Sequence, residues 1–140
     1  MIGDEMNAES SAKIDTGLAC FAIMANYFEK PLSLEQVKHK YDRQNSDFEE
    51  YELLQLAKEF SFKAKFVKTA PDRLEKTNLP AIAQDKDNRY FIIGKIADGK
   101  VLVQDPAAGN HPQVWSEEQL LQRWNGRLLM MTLSLIHISE

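Results

Sequence analysis

Cysteine is nearly absent from this 140-residue sequence, where Cys20 stands alone. One thiol forms no internal disulfide and builds no zinc site from companions of its own kind, so the chain reads as a cytosolic domain held together by its core. Histidine is also scarce: His39, His111 and His137 show no metal-ligand spacing, and no glycine-rich phosphate loop occurs. Metal and nucleotide sites therefore have no support within these residues. A basic excess is missing as well, with 17 Lys and Arg against 21 Asp and Glu for a net charge of −4, which argues against a nucleic-acid partner. No apolar run approaches the roughly 18 to 20 residues that span a bilayer. The N-terminus, Met1-Ile2-Gly3-Asp4-Glu5-Met6, is acidic where a signal peptide is basic.

What is present describes one domain. At 44% apolar and 27% charged residues, a chain of this length buries roughly two thirds of its unfolded surface around a core. Charge is uneven, with residues 1–60 at net −6 and residues 61–140 at net +2. The first half reads as helical. Leu18, Phe21, Ala22, Ala25 and Phe28 fall near helical spacing in a helix from Thr16 to Glu29, with Asp15 or Thr16 as N-cap and Pro31 beyond its end. Ser33 and Gln36 form a capping-box pattern that opens a short helix to about Tyr41. Asp47 is the expected cap of a third helix, Phe48 to Phe60, with Tyr51, Leu54 and Phe60 on its inner face.

From Ser61 the period drops to two. Phe62, Ala64 and Phe66 alternate with Lys63, Lys65 and, after a slip at Val67, Lys68, giving a strand with one core face and one basic face. Further strands are expected at Leu79–Gln84, Tyr90–Ile96 and Lys100–Gln104, joined by the turns Asp85-Lys86-Asp87-Asn88 and Asp98-Gly99 as an antiparallel meander. Residues 105–110 form a loop, Ser116 caps a helix through Trp124, and Arg127 to Leu133 closes the sheet. The fold class is α+β, with an N-terminal extension over 1–9, a domain over 10–134, and a tail over 135–140 that is either an extension of the last strand or a remnant foreign to the domain.

A lone cysteine invites a nucleophile hypothesis, which requires the sulfur near a helix N-terminus with a histidine base in reach. Cys20 lies about four residues inside its helix among Ala19, Phe21 and Ala22, and reads instead as a small core hydrophobe. His39 sits on a charged helix face, His111 in a loop, and His137 in the tail.

Three ordered motifs carry a resemblance. Lys13-Ile14-Asp15-Thr16-Gly17-Leu18-Ala19-Cys20, then Leu79-Pro80-Ala81-Ile82 leading to Arg89-Tyr90-Phe91-Ile92-Ile93, then Val103-Gln104-Asp105-Pro106 resemble the bacteriocin-processing cysteine peptidase domains at the N-terminus of ABC exporters. In that papain-like family the first motif reads Asp-Cys-Gly-x-Ala-Cys, the second opens on His-Phe or His-Tyr, and the third ends in Asp-Pro. The resemblance implies a papain-like α+β fold. It places Thr16 at the nucleophile, Tyr90 at the histidine, Ser10 at the oxyanion glutamine and Cys20 at the motif's second, non-nucleophilic cysteine. Only Asp105 of the catalytic set is retained. Its other reading is a strand-end turn whose carboxylate accepts backbone amides two residues on. Tyrosine, with an ordinary pKa near 10, is a poor proton acceptor at neutral pH, so catalysis by the family mechanism is expected to be absent.

Such loss is the condition of the haemolysin-type exporters of type I secretion systems, which Val37-Lys38-His39-Lys40-Tyr41-Asp42 and Leu79-Pro80-Ala81 also resemble. The resemblance implies a cytoplasmic domain of a bacterial inner-membrane transporter that holds an unfolded secreted protein, a repeat-containing toxin, near the channel. No cofactor is expected in this domain; ATP and Mg belong to the parent transporter. Tyr90, Phe91 and Trp115 are candidates to line a groove for extended chain, with Phe91 and Trp115 reading also as core. Lys63, Lys65 and Lys68 are candidates to steer acidic repeats, or else form a solvated strand face. Two rivals remain: an active peptidase cleaving leader peptides, and a regulatory domain contacting the transporter's own nucleotide-binding domain.

Overall fold

The computed structural model describes residues 15–41, 48–109 and 111–134. Residues 1–9, the tail 135–140, Ser10, Asp47 and His137 lie outside them. Helix α1, Thr16–Tyr27, is capped by Asp15, whose Oδ1 accepts the Leu18 amide at 3.0 Å. Helix α2, Leu34–Tyr41, begins after Ser33, whose hydroxyl accepts the Gln36 amide at 3.3 Å. Helix α3, Glu50–Glu59, starts later than Phe48; its N-cap is Glu49, whose amide donates to the Glu52 carboxylate at 2.9 Å. Its buried face is Leu53, Leu56 and Ala57, a strict i, i+3, i+4 set. Tyr51 is therefore turned outward, 68% exposed, which corrects the expected inner face.

Six strands follow: β1 Phe62–Lys68, β2 Ala81–Asp85, β3 Tyr90–Ala97, β4 Lys100–Gln104, β5 Gln113–Ser116 and β6 Trp124–Leu133, with helix α4, Glu117–Arg123, between the last two. They form one antiparallel sheet in the order β1-β6-β2-β3-β4-β5. The meander holds from β2 to β5. The last strand does not close an edge but inserts between β1 and β2, pairing Ala64 with Met131 on one side and Ile82 with Leu129 on the other. A short 3-10 helix, Pro71–Lys76, carries the chain from β1 across to β2. Neither this turn nor the four-residue β5 was expected from the sequence. The β1–β6 register is unbroken through Val67, so no slip occurs there.

Two cores flank the sheet. The helices pack Leu18, Phe21, Met24, Leu53 and Leu56 onto Phe62, Ile82, Tyr90, Ile92 and Leu129. The opposite face carries Ala81, Ala83, Phe91, Ile93, Val101, Val103 and Leu128 under Leu74 of the 3-10 helix and Leu120 of α4. The period of two thus sends alternate residues of β2, β3 and β6 into different cores. All five residues of β2 are buried. No helix among the described residues is long and apolar enough to cross a membrane.

Candidate functional site

The N-terminus of α1 and the first residue of β3 meet at the centre of the helix–sheet interface. Asp15 caps α1 with one oxygen and with the other accepts the Phe48 amide at 3.0 Å, fastening the segment before α3 to the start of α1. Thr16 follows, 2% exposed, and its Oγ1 accepts the Tyr90 amide at 3.0 Å. Gly17 allows the close approach: a Cβ there would stand 3.0 Å from the Phe48 carbonyl oxygen and 3.2 Å from Tyr90 Cδ2.

Tyr90 directs its ring along the sheet toward β6 and β1. Its hydroxyl receives Gln84 Nε2 at 3.4 Å, and its ring lies 6.5 Å from Phe66. Gln84 Oε1 accepts from Asn125 at 2.9 Å, and Asn125 Oδ1 accepts the Arg127 amide at 2.9 Å. Arg127 spans back to α3: Nη2 donates to Glu50 Oε1 at 2.9 Å, Nε stands 2.9 Å from Oε2, and the guanidinium lies 5.4 Å from the centre of the Phe66 ring. Burial pushes the Tyr90 phenol well above its ordinary value, reinforced by Glu50, Glu49 and Asp15 and opposed by Arg127. The phenol stays protonated at neutral pH.

Asp105 has partners of its own. Its Oδ1 accepts the Ala107 amide at 3.0 Å, the strand-end turn read from Asp-Pro, and its Oδ2 accepts Arg123 Nη2 at 3.1 Å. Arg123 also lies 3.5 Å from Asp85 Oδ2, while Asp85 Oδ1 collects the Asp87 and Arg89 amides at 2.8 and 2.9 Å. The guanidinium sits over Trp115 and Phe91, at 5.0 and 5.8 Å from their ring centres. Asp85, Asp87, Arg89, Asp105 and Arg123 line a cavity of about 310 Å³. Cys20 is fully buried in the helical core; burial first, then the charges of Asp105 and Asp15, raise its thiol well above the usual range.

Of the residues singled out from sequence, Thr16 and Tyr90 are in contact, and Asp105 is bonded to the Ala107 amide and Arg123. The expected aromatic groove is corrected. Phe91 and Trp115 meet as tilted rings with centres 5.3 Å apart within the core on the far face of the sheet, because Phe91 is one residue from Tyr90 and alternation turns it away. The three lysines are exposed but do not form one patch. Lys63 and Lys65 share a face beside Asn78 and Met130, whereas Lys68, an odd step from Lys65 along an unbroken register, points to the other. Sequence reasoning missed Gln84, Asn125, Arg127, Glu50, Asp85 and Arg123. Their contacts join residues as many as 77 positions apart, which no local pattern announces. Among the described residues, no group of three or more His, Cys, Asp and Glu is placed to hold a metal.

Helices on one face of an antiparallel six-stranded sheet, with the start of the first helix presented to the start of β3, define a papain-like peptidase domain. The chain belongs to the Peptidase C39 family, which it matches over residues 7–134. It is 34% identical over 122 residues to the exotoxin translocation ATP-binding protein PaxB of Pasteurella aerogenes, covering 86% of this chain and 17% of that protein. It is 31% identical over 126 residues to the alpha-hemolysin translocation ATP-binding protein HlyB of Escherichia coli, covering 89% and 18%. The chain thus spans less than a fifth of the length of these relatives. Among solved structures, a double-glycine-motif protease from an AMS/PCAT transporter in complex with its leader peptide superposes with a TM-score of 0.76 at 21% identity, covering 86% of this chain and 85% of that one. The N-terminal peptidase C39-like domain of a toxin secretion ATP-binding protein from Vibrio parahaemolyticus gives 0.74 at 21%, covering 88% and all of that chain.

Proposed function

We propose that the chain is a non-catalytic C39 domain that holds an unfolded secreted protein for a toxin-secreting ABC exporter at the cytoplasmic face of a bacterial inner membrane. The observation that carries this reading is the state of Thr16. At the position that corresponds to the family's nucleophile, its hydroxyl is buried and occupied by the Tyr90 amide, and the side chain at the histidine position is a protonated phenol. A hydroxyl nucleophile needs a neighbouring base to take its proton, and Tyr90 does not supply one. Asp105, which would orient a histidine, is engaged by Arg123.

The toxin-translocation relatives supply the cargo class. ATP and Mg act in the parent transporter, outside this domain. Tyr90 and Gln84 are themselves enclosed, and the half-buried Phe66 and Asn125 beside them are the parts of this cluster against which an extended chain would pack. Lys63 and Lys65, on the opposite face of β1 from Phe66, would act on acidic repeats only through long-range steering.

The test is binding of a labelled aspartate-rich repeat polypeptide, kept unfolded with EDTA and then folded with calcium. Capture of the chelated form only is the expected result. Equal binding of both forms, or of neither, would remove the cargo-holding role. Unchanged affinity after Lys63→Glu with Lys65→Glu would remove the electrostatic component.

A further inference from the structure

On the face of the sheet away from Thr16 and Tyr90, the 3-10 helix Pro71–Lys76 and α4 lie either side of an apolar groove. Its volume is about 350 Å³, and its floor is Leu74, Leu120, Val101 and Ile96. Leu74, Leu120 and Val101 are at most 2% exposed, so the floor belongs to the core, but Leu121 on the groove wall is 45% exposed. An exposed leucine beside an apolar opening is the kind of surface that soluble domains cover with a partner.

The rim has one sign. Asp72 and Glu75 stand on one side and Glu117 on the other, and no lysine or arginine lines the groove. None of these three carboxylates takes part in an ion pair among the described residues. Three exposed, unneutralised carboxylates around an apolar floor lack what a helix with leucines on one face and flanking lysines or arginines would bring. Such a helix would lie against two existing helical elements and insert its i and i+4 anchors between them.

We infer that the groove between the 3-10 helix and α4 is a docking site for a basic amphipathic helix of a protein partner. The groove lies on the face of the sheet opposite Thr16 and Tyr90. Extended acidic cargo does not fit it, because its rim would repel aspartate-rich chain.

The test uses a fluorescein-labelled peptide of leucine and lysine in helical spacing, with fluorescence anisotropy as readout on the 140-residue chain. Saturable binding is expected, weakening about tenfold in the triple variant Asp72→Asn, Glu75→Gln, Glu117→Gln, which removes three rim charges worth a few tenths of a kcal/mol each. A similar loss is expected for Leu121→Asp. Circular dichroism confirms that both variants remain folded; the rim triple alters only exposed side chains and serves if Leu121→Asp does not fold. A control variant, Glu29→Gln, Glu35→Gln, Asp87→Asn, removes as much charge elsewhere and should bind as the parent does. The inference is overturned if the rim triple binds unchanged, if the control triple loses as much, or if a peptide with glutamate for lysine binds equally well.

Discussion

Replacing Thr16 with valine removes one oxygen and almost nothing else. Both side chains are β-branched, of similar volume and similar helix propensity, so no cavity opens and α1 should start where it does now. What disappears is the acceptor of the Tyr90 amide, a bond of 3.0 Å between residues that are 2% and 3% exposed. Water does not reach this position to take its place. A buried donor left unpaired costs about 1–3 kcal/mol, and at roughly 3 °C per kcal/mol for a domain of this size, Tm should fall by about 3–9 °C. Thr16→Ser keeps the acceptor and loses one buried methyl, a change of about 1 kcal/mol. Urea denaturation followed by circular dichroism measures both, and the m-value should not change. A valine variant as stable as the parent would refute the claim that this hydroxyl is committed to holding β3 against α1.

Three further outcomes follow from the same geometry. Gly17→Ala should destabilise the domain by about 1–3 kcal/mol in thermal melts despite alanine's better helix propensity, because its Cβ would meet the Phe48 carbonyl and the Tyr90 ring at 3.0 and 3.2 Å. Tyr90 and Cys20 both have folded-state pKa values above their ordinary ones, so the stabilisation from keeping them neutral is fully present below pH 9 and is lost as the unfolded chain releases those protons. Stability should therefore fall as pH rises, from about pH 9 through Cys20 and from about pH 10 through Tyr90, by up to about 1.4 kcal/mol per pH unit for each group. Tyr90→Phe should flatten the upper part of that slope in denaturant titrations. Arg123→Met should cost about 1–2 kcal/mol by leaving Asp85 and Asp105 without their shared cation, tempered by the partial exposure of the arginine, and adding Asp105→Asn should recover part of the loss in a double-mutant cycle.

Much of the fold was legible because its signals are local. Asp15 before a helical apolar stripe, the Ser116 cap, and the alternation from Phe62 to Phe66 each announce an element within a few residues. Strand β5 escaped because four residues between a loop and a helix cap carry too little periodicity. On the inner face of α3, Leu54 and Phe60 do pack against the core, and only Tyr51 was misplaced, because the buried stripe is centred on Leu53, Leu56 and Ala57. At the candidate site, the resemblance singled out Thr16, Tyr90 and Asp105, but what engages them was not written nearby. Arg123 lies 18 residues from Asp105, and Glu50 lies 77 from Arg127. Phe91 and Trp115 were misplaced for a geometric reason: adjacent strand residues serve opposite faces, so the residue after Tyr90 belongs to the other core.

The central claim is that a C39 fold has here become a holder without a cutting function. Incubating the chain with a double-glycine leader peptide and following the peptide by mass spectrometry tests it most directly. The account predicts that the peptide remains intact and that a thiol-directed probe modifies Cys20 no faster than the domain unfolds. Cleavage after the paired glycines would contradict it.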